Sequence, residues 1–240
     1  MSWLLLHGDL LEAGAEIPDG SVDAILTDPP YSRDAIELYE RLARLADRAL
    51  RPGGSCLVMT GTGILPDVIA AMCPPLAYRW TIAYLAPGDA ARIYPLRVLA
   101  CWKPVVWLQK PPISPEAGGF RADIVKGRGK SKRWHPWQQS VSGFEQLVRF
   151  YTRPGELVLD PFCGTGTTGV AAVTQGRRFV GIDVDPEALE VARQRLEEIT
   201  AGRPMRPWVG EDPGPRWDPE REDYDLARAI GLEFWKGGAR

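Results

Sequence analysis

A doubly wound α/β fold, with a mostly parallel sheet and helices on both faces, is what the sequence predicts on three observations. Strand-sized apolar runs occur at 3–7, 22–27, 55–60, 79–85, 98–108, 156–160 and 178–183. Several alternate with helix-like windows at 34–50, 64–72, 141–152, 166–175 and 186–199, the pattern of strands joined by crossover helices. A glycine-rich turn follows one of these runs directly. At 240 residues, 45% of them hydrophobic, the chain can bury one large α/β core or two small ones.

Composition narrows the classes. No apolar run reaches the length of a membrane span. The four cysteines (Cys56, Cys73, Cys101, Cys163) lack Cys-x-x-Cys spacing, and the start of the chain lacks a basic-then-apolar leader, which fits a reducing cytoplasm. His7 and His135 show no metal-ligand spacing, so no metal is expected. A net charge of −2 does not announce a nucleic-acid binder, so any such signal must be local.

The first run ends at Gly8-Asp9, where Asp9 reads as a helix N-cap. The second, Val22-Asp23-Ala24-Ile25-Leu26, runs into Thr27-Asp28-Pro29-Pro30-Tyr31. Neither proline has an N–H, and each restricts its predecessor, so the strand must stop. Asp28 therefore stands at a strand's carboxyl end on a stiff loop, where open α/β sheets bind ligands. The plain alternative is an N-cap for the helix that starts near Asp34. In that helix Ile36, Leu38, Tyr39, Leu42, Leu45, Ala46 and Ala49 fall on one face, and Pro52-Gly53-Gly54 stops it.

Two segments break the alternation. Residues 110–135 are Pro/Gly-rich and then basic, with Arg121, Lys126, Arg128, Lys130, Lys132 and Arg133 against Asp123. Residues 201–223 form a Pro-rich, increasingly acidic linker before a short amphipathic end at 224–235.

The chemistry-bearing turn comes after the strand ending in Asp160. Gly164, Gly166 and Gly169 match G-x-G-x-x-G, a weak signal alone. The following strand ends in Asp183, where an acid can accept from ribose hydroxyls, which strengthens the case for an adenosine-containing cofactor. The turn lacks G-K-[ST], so it is no triphosphate loop. Asp160 separates the candidates. A carboxylate beside a dinucleotide's pyrophosphate would repel it, whereas the ammonium and sulfonium of S-adenosylmethionine would welcome it. The plain alternative for Asp160 is a loop acid capping the next helix.

Taken together, these stretches resemble a known family. "DPPY" at 28–31 looks like the catalytic motif of DNA amino-methyltransferases, and "DPFCGTGTTGVAAVTQGRRFVGIDVDPEALEVARQRL" at 160–196 is similar to their cofactor-binding half. "HPWQQS" at 135–140 resembles the His-Pro-Thr-Gln-Lys-Pro segment before the cofactor strand, with Trp137, Gln139 and Ser140 replacing Thr, Lys and Pro. "HGDLLE" at 7–12 and "LRPGGSCLV" at 50–58 extend the likeness over most of residues 4–200. The catalytic motif precedes the cofactor motif, the permuted order of the β class.

The resemblance implies a Rossmann-like methyltransferase domain at 1–200 with a short recognition segment at about 86–133, followed at 201–240 by the linker and a C-terminal helix. A short segment implies a short recognition sequence or weak specificity. It implies S-adenosylmethionine held by Asp9, Trp137, Gln138, Asp160, Phe162, Gly164, Gly166, Thr167, Thr168 and Asp183, with Asp9 accepting from the adenine amino group. Catalysis falls to Asp28, Pro29, Pro30 and Tyr31, and double-stranded DNA to Arg121, Lys126, Arg128, Lys130, Lys132 and Arg133, with Trp134 and Trp137 available to stack on bases or the donor. The Asp of Asp-Pro-Pro-Tyr leans towards adenine N6 over cytosine N4. RNA or a protein amide is a second acceptor class. A NAD(P)-dependent oxidoreductase would leave "DPPY" unexplained, and a catalytically silent DNA-binding module would bind DNA without donor affinity, though nothing in the sequence argues that the site is broken. Whether a restriction enzyme accompanies the protein, and whether it is a monomer or homodimer, stays open.

Overall fold

The computed structural model describes residues 2–85, 90–94, 96–113, 121–127 and 141–202. The chain divides into a unit at Met1–Pro207 and another at Trp208–Arg240; the second, with the expected C-terminal helix, lies outside the described residues.

In chain order the elements are β1 (Trp3–His7), β2 (Val22–Thr27), α1 (Ile36–Ala49), β3 (Leu50–Met59), α2 (Leu65–Met72), β4 (Ala77–Leu85), β5 (Ala91–Ile93), β6 (Val98–Ala100), β7 (Lys103–Gln109), β8 (Ile124–Lys126), α3 (Val141–Tyr151), β9 (Leu157–Asp160), α4 (Thr167–Thr174), β10 (Arg178–Asp183) and α5 (Pro186–Thr200). Eight strands form one sheet in the order β1-β10-β9-β2-β3-β7-β4-β8. Every neighbouring pair is parallel except the two that β7 makes, with β3 and β4. From β2 the chain proceeds outwards to β3, and from β9 outwards in the other direction to β10, so the order reverses between β2 and β9. That reversal opens a crevice at the strands' carboxyl ends.

The period of two along each strand divides the apolar residues between two cores. Ile25, Val58 and Val106 face Leu42 and Leu45 of α1 and Val68 and Met72 of α2. Their sequence neighbours Leu26, Leu57 and Val105 face Phe144 and Leu147 of α3, Ala171 of α4 and Leu196 of α5. Helices therefore cover both faces, and the fold class expected from the sequence is the one observed.

The apolar run 98–108 departs from its reading as one strand. Arg97, at φ 52°, turns the chain, and Val98–Ala100 pair with β5 in a separate two-stranded ribbon. The main sheet resumes only at Lys103. Hydrophobicity alone cannot show that the two halves of a run satisfy different ladders. β3 likewise starts at Leu50 rather than at 55, with a register shift opposite Val22–Ala24 absorbing the Pro-Gly-Gly stretch.

Gly169 of α4 lies against the Phe179 ring of β10, where an added Cβ would meet the ring at 2.5 Å. We expect Gly169→Ala to destabilise the fold by about 1–3 kcal/mol in urea denaturation, the usual cost of overpacking. Gly63→Ala, where an added Cβ meets nothing within 4 Å, should stay within about 0.5 kcal/mol of the parent.

Candidate active site

The crevice is built on the ends of β2 and β9. Thr27, the last residue of β2, is buried and donates from Oγ1 to Asp160 Oδ1 at 2.6 Å. Two loops 133 residues apart in sequence thus meet at one hydrogen bond.

On the β2 side, Asp28 is half-buried, Pro29 buried, and Pro30 and Tyr31 exposed. The Tyr31 hydroxyl donates to Asp28 Oδ1. Because α1 begins only at Ile36, after a 3₁₀ turn at Arg33–Ala35, with Ala35 at its N-cap position and no side-chain cap, Asp28 does not cap α1 as its plain alternative required. Tyr39 of α1 reaches back under the loop. Its hydroxyl lies 3.2 Å from both the Pro30 carbonyl oxygen and Thr60 Oγ1, with one proton to share. Burial, joined by the charge of Asp28, pushes the Tyr39 phenol up to about 12 despite the Thr60 bond, so it stays a hydrogen-bond donor. The Lys103 ammonium, at the start of β7, sits 5.5 Å from the centre of the Tyr31 ring.

On the β9 side the glycine turn leads into α4. Gly166 adopts φ 79°, and an added Cβ would also come within 2.9 Å of Ala192 on α5, so only glycine lets turn and helix approach. Asp160 accepts from Thr27, from the Phe162 N–H at 3.1 Å and, through Oδ2, from Thr168 Oγ1 at 2.6 Å. All three donors are neutral. Burial therefore dominates and raises the carboxyl to about 7, against the three hydrogen bonds that lower it. A cation brought to this carboxylate would relieve the cost of its burial.

Asp183 closes β10 and accepts from the Gly164 N–H at 2.6 Å and the Asp185 N–H at 3.0 Å. Asp9, past the end of β1, pairs with Arg41 of α1 and accepts from the Leu11 N–H at 3.0 Å through the same oxygen; the 3₁₀ turn that follows, Ala13–Glu16, has Glu12 at its N-cap position, so Asp9 closes a local turn and is not the helix N-cap the sequence suggested. Phe162 is half-buried, and Thr167 and Thr168 are buried. Buried Arg195 of α5 donates to the carbonyl and hydroxyl of Thr165, pinning the turn from behind.

The structure thus gathers Asp28, Pro29, Pro30, Tyr31 and Asp160 at adjoining strand ends, with Phe162, Gly164, Gly166, Thr167, Thr168 and Asp183 in and around the glycine turn. Trp137, Gln138, Arg128, Lys130, Lys132 and Arg133 lie outside the described residues. Lys126 pairs with Leu85, at the strand ends that also hold Lys103, opposite Tyr84. Arg121 enters β8 from the other direction, and its guanidinium lies 5.0 Å from the Tyr151 ring centre and 5.8 Å from that of Trp107. That placement gives Arg121 a packing contact with the sheet and α3. Sequence reasoning missed Thr27, Tyr39, Arg41, Lys103 and Arg195. Tyr39 had carried a signal, since a tyrosine on a helix's buried face needs a partner for its hydroxyl. Val184, beside Asp183 and 65% exposed, is a further apolar side chain at the turn.

Comparison with known proteins agrees with this geometry. The N6/N4 methyltransferase model, a DNA methylase family, matches residues 102–194. The Type II methyltransferase M2.LlaDCHI of Lactococcus lactis subsp. cremoris is 42% identical over 247 residues, covering 81% of this chain and 89% of that enzyme. The chain belongs to the N6/N4 DNA methylase family. A local match to the Type II methyltransferase M2.DpnII of Streptococcus pneumoniae, 46% identical over 80 residues, spans 33% of this methylase and 28% of that one. Among solved structures, the M1.HpyAVI–SAM complex superposes with a TM-score of 0.68 at 24% identity, covering 81% of this chain and 98% of that one. The cytosine-N4-specific PvuII DNA methyltransferase superposes at 0.71 with 17% identity, covering 97% and 94%. Both show the methylase to share their fold.

Two outcomes follow from the site's energetics. An Asp carboxyl raised from 3.8 to about 7 on folding stabilises the fold fully below its unfolded pKa, and that contribution disappears as pH rises through 7. Ligand-free wild type should therefore lose melting temperature relative to Asp160→Asn between about pH 5 and 8, read by thermal scans of both proteins in the same buffers; parallel profiles would remove the buried charge from the account. Tyr39→Phe strips the loop of its clamp and should cost about 1–3 kcal/mol in urea denaturation.

Proposed function

We propose that the methylase transfers the methyl group of S-adenosylmethionine to the 6-amino group of adenine in double-stranded DNA. The observation that carries this reading is the Thr27–Asp160 hydrogen bond, which fixes the residues proposed to hold the donor beside those proposed to hold the acceptor.

The chemistry of the donor set fits the cofactor. Asp160 is a buried carboxylate bonded, among the described residues, by neutral groups at the turn, so a ligand carrying positive charge complements it. Asp183 keeps lone pairs for hydroxyl donors, and Phe162 and Val184 offer apolar surface to a base. A nicotinamide dinucleotide fits worse, because its pyrophosphate would approach two carboxylates. When bound, S-adenosylmethionine supplies an electrophilic methyl on sulfur.

The protein's own task is the acceptor. An exocyclic amine is a poor nucleophile because its lone pair is delocalised into the ring. Acceptors aimed at its two hydrogens favour a pyramidal nitrogen whose lone pair points at the incoming methyl. Asp28 offers a carboxylate oxygen, Pro29 its main-chain carbonyl, and Tyr31 a ring on which an extruded base stacks, worth about 1–3 kcal/mol. As the N–C bond forms the S–C bond breaks, and the amine proton leaves to Asp28 or solvent. No covalent enzyme intermediate is needed. Lys126 and the cations at 128–133 are the proposed phosphate contacts.

Cytosine N4 is the second reading, supported by the neighbour named cytosine-N4-specific; its amine presents the same two hydrogens. The relatives named Type II leave a partner restriction enzyme in prospect.

The test is label transfer from tritiated S-adenosylmethionine into unmethylated duplex DNA, with RNA and protein controls, followed by nucleoside analysis. Label in N6-methyladenine is expected; label in N4-methylcytosine would correct the base, and donor binding with no label in DNA would overturn the proposal. Asp28→Ala should keep donor affinity within about twofold while losing at least about a hundredfold in transfer, the scale of a positioned proton acceptor.

A further inference from the structure

The β5–β6 ribbon is the feature that the proposed site does not use. It exposes Ile93, Tyr94, Leu96, Val98 and Leu99, with Tyr94 and Leu96 each 72% accessible at the turn. Such apolar exposure on a two-stranded element without a core of its own marks a contact surface. Its charge leans one way: residues 86–113 contain Arg92, Arg97, Lys103 and Lys110 against one acid, Asp89, in a chain of net charge −2. Arg92, Ile93, Tyr94, Arg97, Val98 and Leu99 line a hollow on it.

Register fixes where the ribbon springs from. The chain leaves the main sheet after Leu85 and re-enters at Lys103, which pairs with Tyr84. Val105, two residues on, pairs with Met59, and Val58 pairs with Thr27. The ribbon is therefore inserted at the edge that carries Asp28, and its return strand leads within three residues to the lysine over Tyr31. An element at this edge meets whatever presents the target base.

We propose that the β5–β6 hairpin is a wedge for duplex DNA, its Tyr94 and Leu96 entering the base stack beside the target base while Arg92 and Arg97 bind flanking phosphates. This rests on the DNA-methylating reading above. A base leaving a duplex exposes the faces of its neighbours, and apolar side chains inserted there replace lost stacking. Cations on the same ribbon complement the phosphates on either side. A protein partner with an apolar face would not call for Arg92 and Arg97 beside the apolar tip.

The experiment compares wild type, a Tyr94→Ser/Leu96→Ser double variant and an Arg92→Gln/Arg97→Gln double variant. Each is checked for unchanged circular dichroism and donor binding. The acceptor is unmethylated plasmid DNA, offered as duplex and as heat-denatured, rapidly chilled strands. The apolar variant should lose about tenfold or more in transfer to the duplex and less than about twofold to the strands, since only the duplex needs opening. The arginine variant should flatten the salt dependence of duplex binding by close to two phosphates' worth, a slope change of about 1.8. Equal transfer by wild type and apolar variant, or an equal fall on both substrates, overturns the wedge alone. A wild type that binds donor yet labels no DNA overturns the parent reading and the wedge with it. Conversion of a dimer to a monomer by the apolar variant in sedimentation velocity would reassign the hairpin to a contact between copies.

Discussion

Everything at the strand ends depends on one buried carboxylate. Asp160 holds Thr27 of the neighbouring strand, the Phe162 amide of its own turn and the Thr168 hydroxyl of the following helix. A single residue thus joins two strands, a loop and a helix at the crevice. An acid is a costly choice in that place, because its charge is removed from water and met, among the described residues, by neutral donors. A neutral residue could organise the same hydroxyls at less cost. What a neutral residue lacks is the capacity to carry negative charge, which a cationic ligand brought to this point of the sheet would favour.

The acceptor side is organised by stiffness instead of charge. Pro29 and Pro30 remove torsional freedom from the loop, the Tyr39 hydroxyl engages the Pro30 carbonyl from below, and Tyr31 is tied to Asp28 through its own hydroxyl. Lys103 flanks the Tyr31 ring. These restraints come from β2, α1 and β7, so the loop is gripped by three elements of the scaffold. Amine methylation offers the protein little covalent chemistry to perform; positioning supplies the rate, and a loop that wandered would forfeit it.

How much of this was legible in the sequence depends on how local each signal is. Paired prolines stop a strand wherever they occur, and a G-x-G-x-x-G turn between strand and helix needs its glycines for local reasons, so both crevice loops could be read directly. The alternation of strands and helices gave the layering, because each apolar run must be buried by something. The adjacency of β2 and β9 is not local: without the resemblance, nothing near Thr27 announces a partner 133 residues on. Tyr39 was visible as an apolar position and invisible as a donor, since periodicity does not distinguish a ring from its hydroxyl. Arg121 shows the opposite limit. A basic run suggests phosphate, and composition does not show that this guanidinium also lies over the rings of Tyr151 and Trp107. The run at 98–108 concealed a change of ladder within one stretch of uniform hydrophobicity.

The order of the strands explains why a permuted chain can build such a site. A crevice at a strand-order reversal requires only that two strands lie side by side with their following loops on the same edge; it does not require either loop to come first. Here the Asp-Pro-Pro-Tyr loop, proposed for the acceptor, follows β2 and the glycine turn, proposed for the donor, follows β9, and the Thr27–Asp160 bond joins the two strand ends. The antiparallel β7 then does what a parallel strand could not. Because it runs against β3, its start lies beside the end of β3, and the segment inserted before it emerges at the same edge as Asp28. One reversed strand is enough to root the β5–β6 ribbon at the edge that carries Asp28 without disturbing the parallel half that carries the glycine turn.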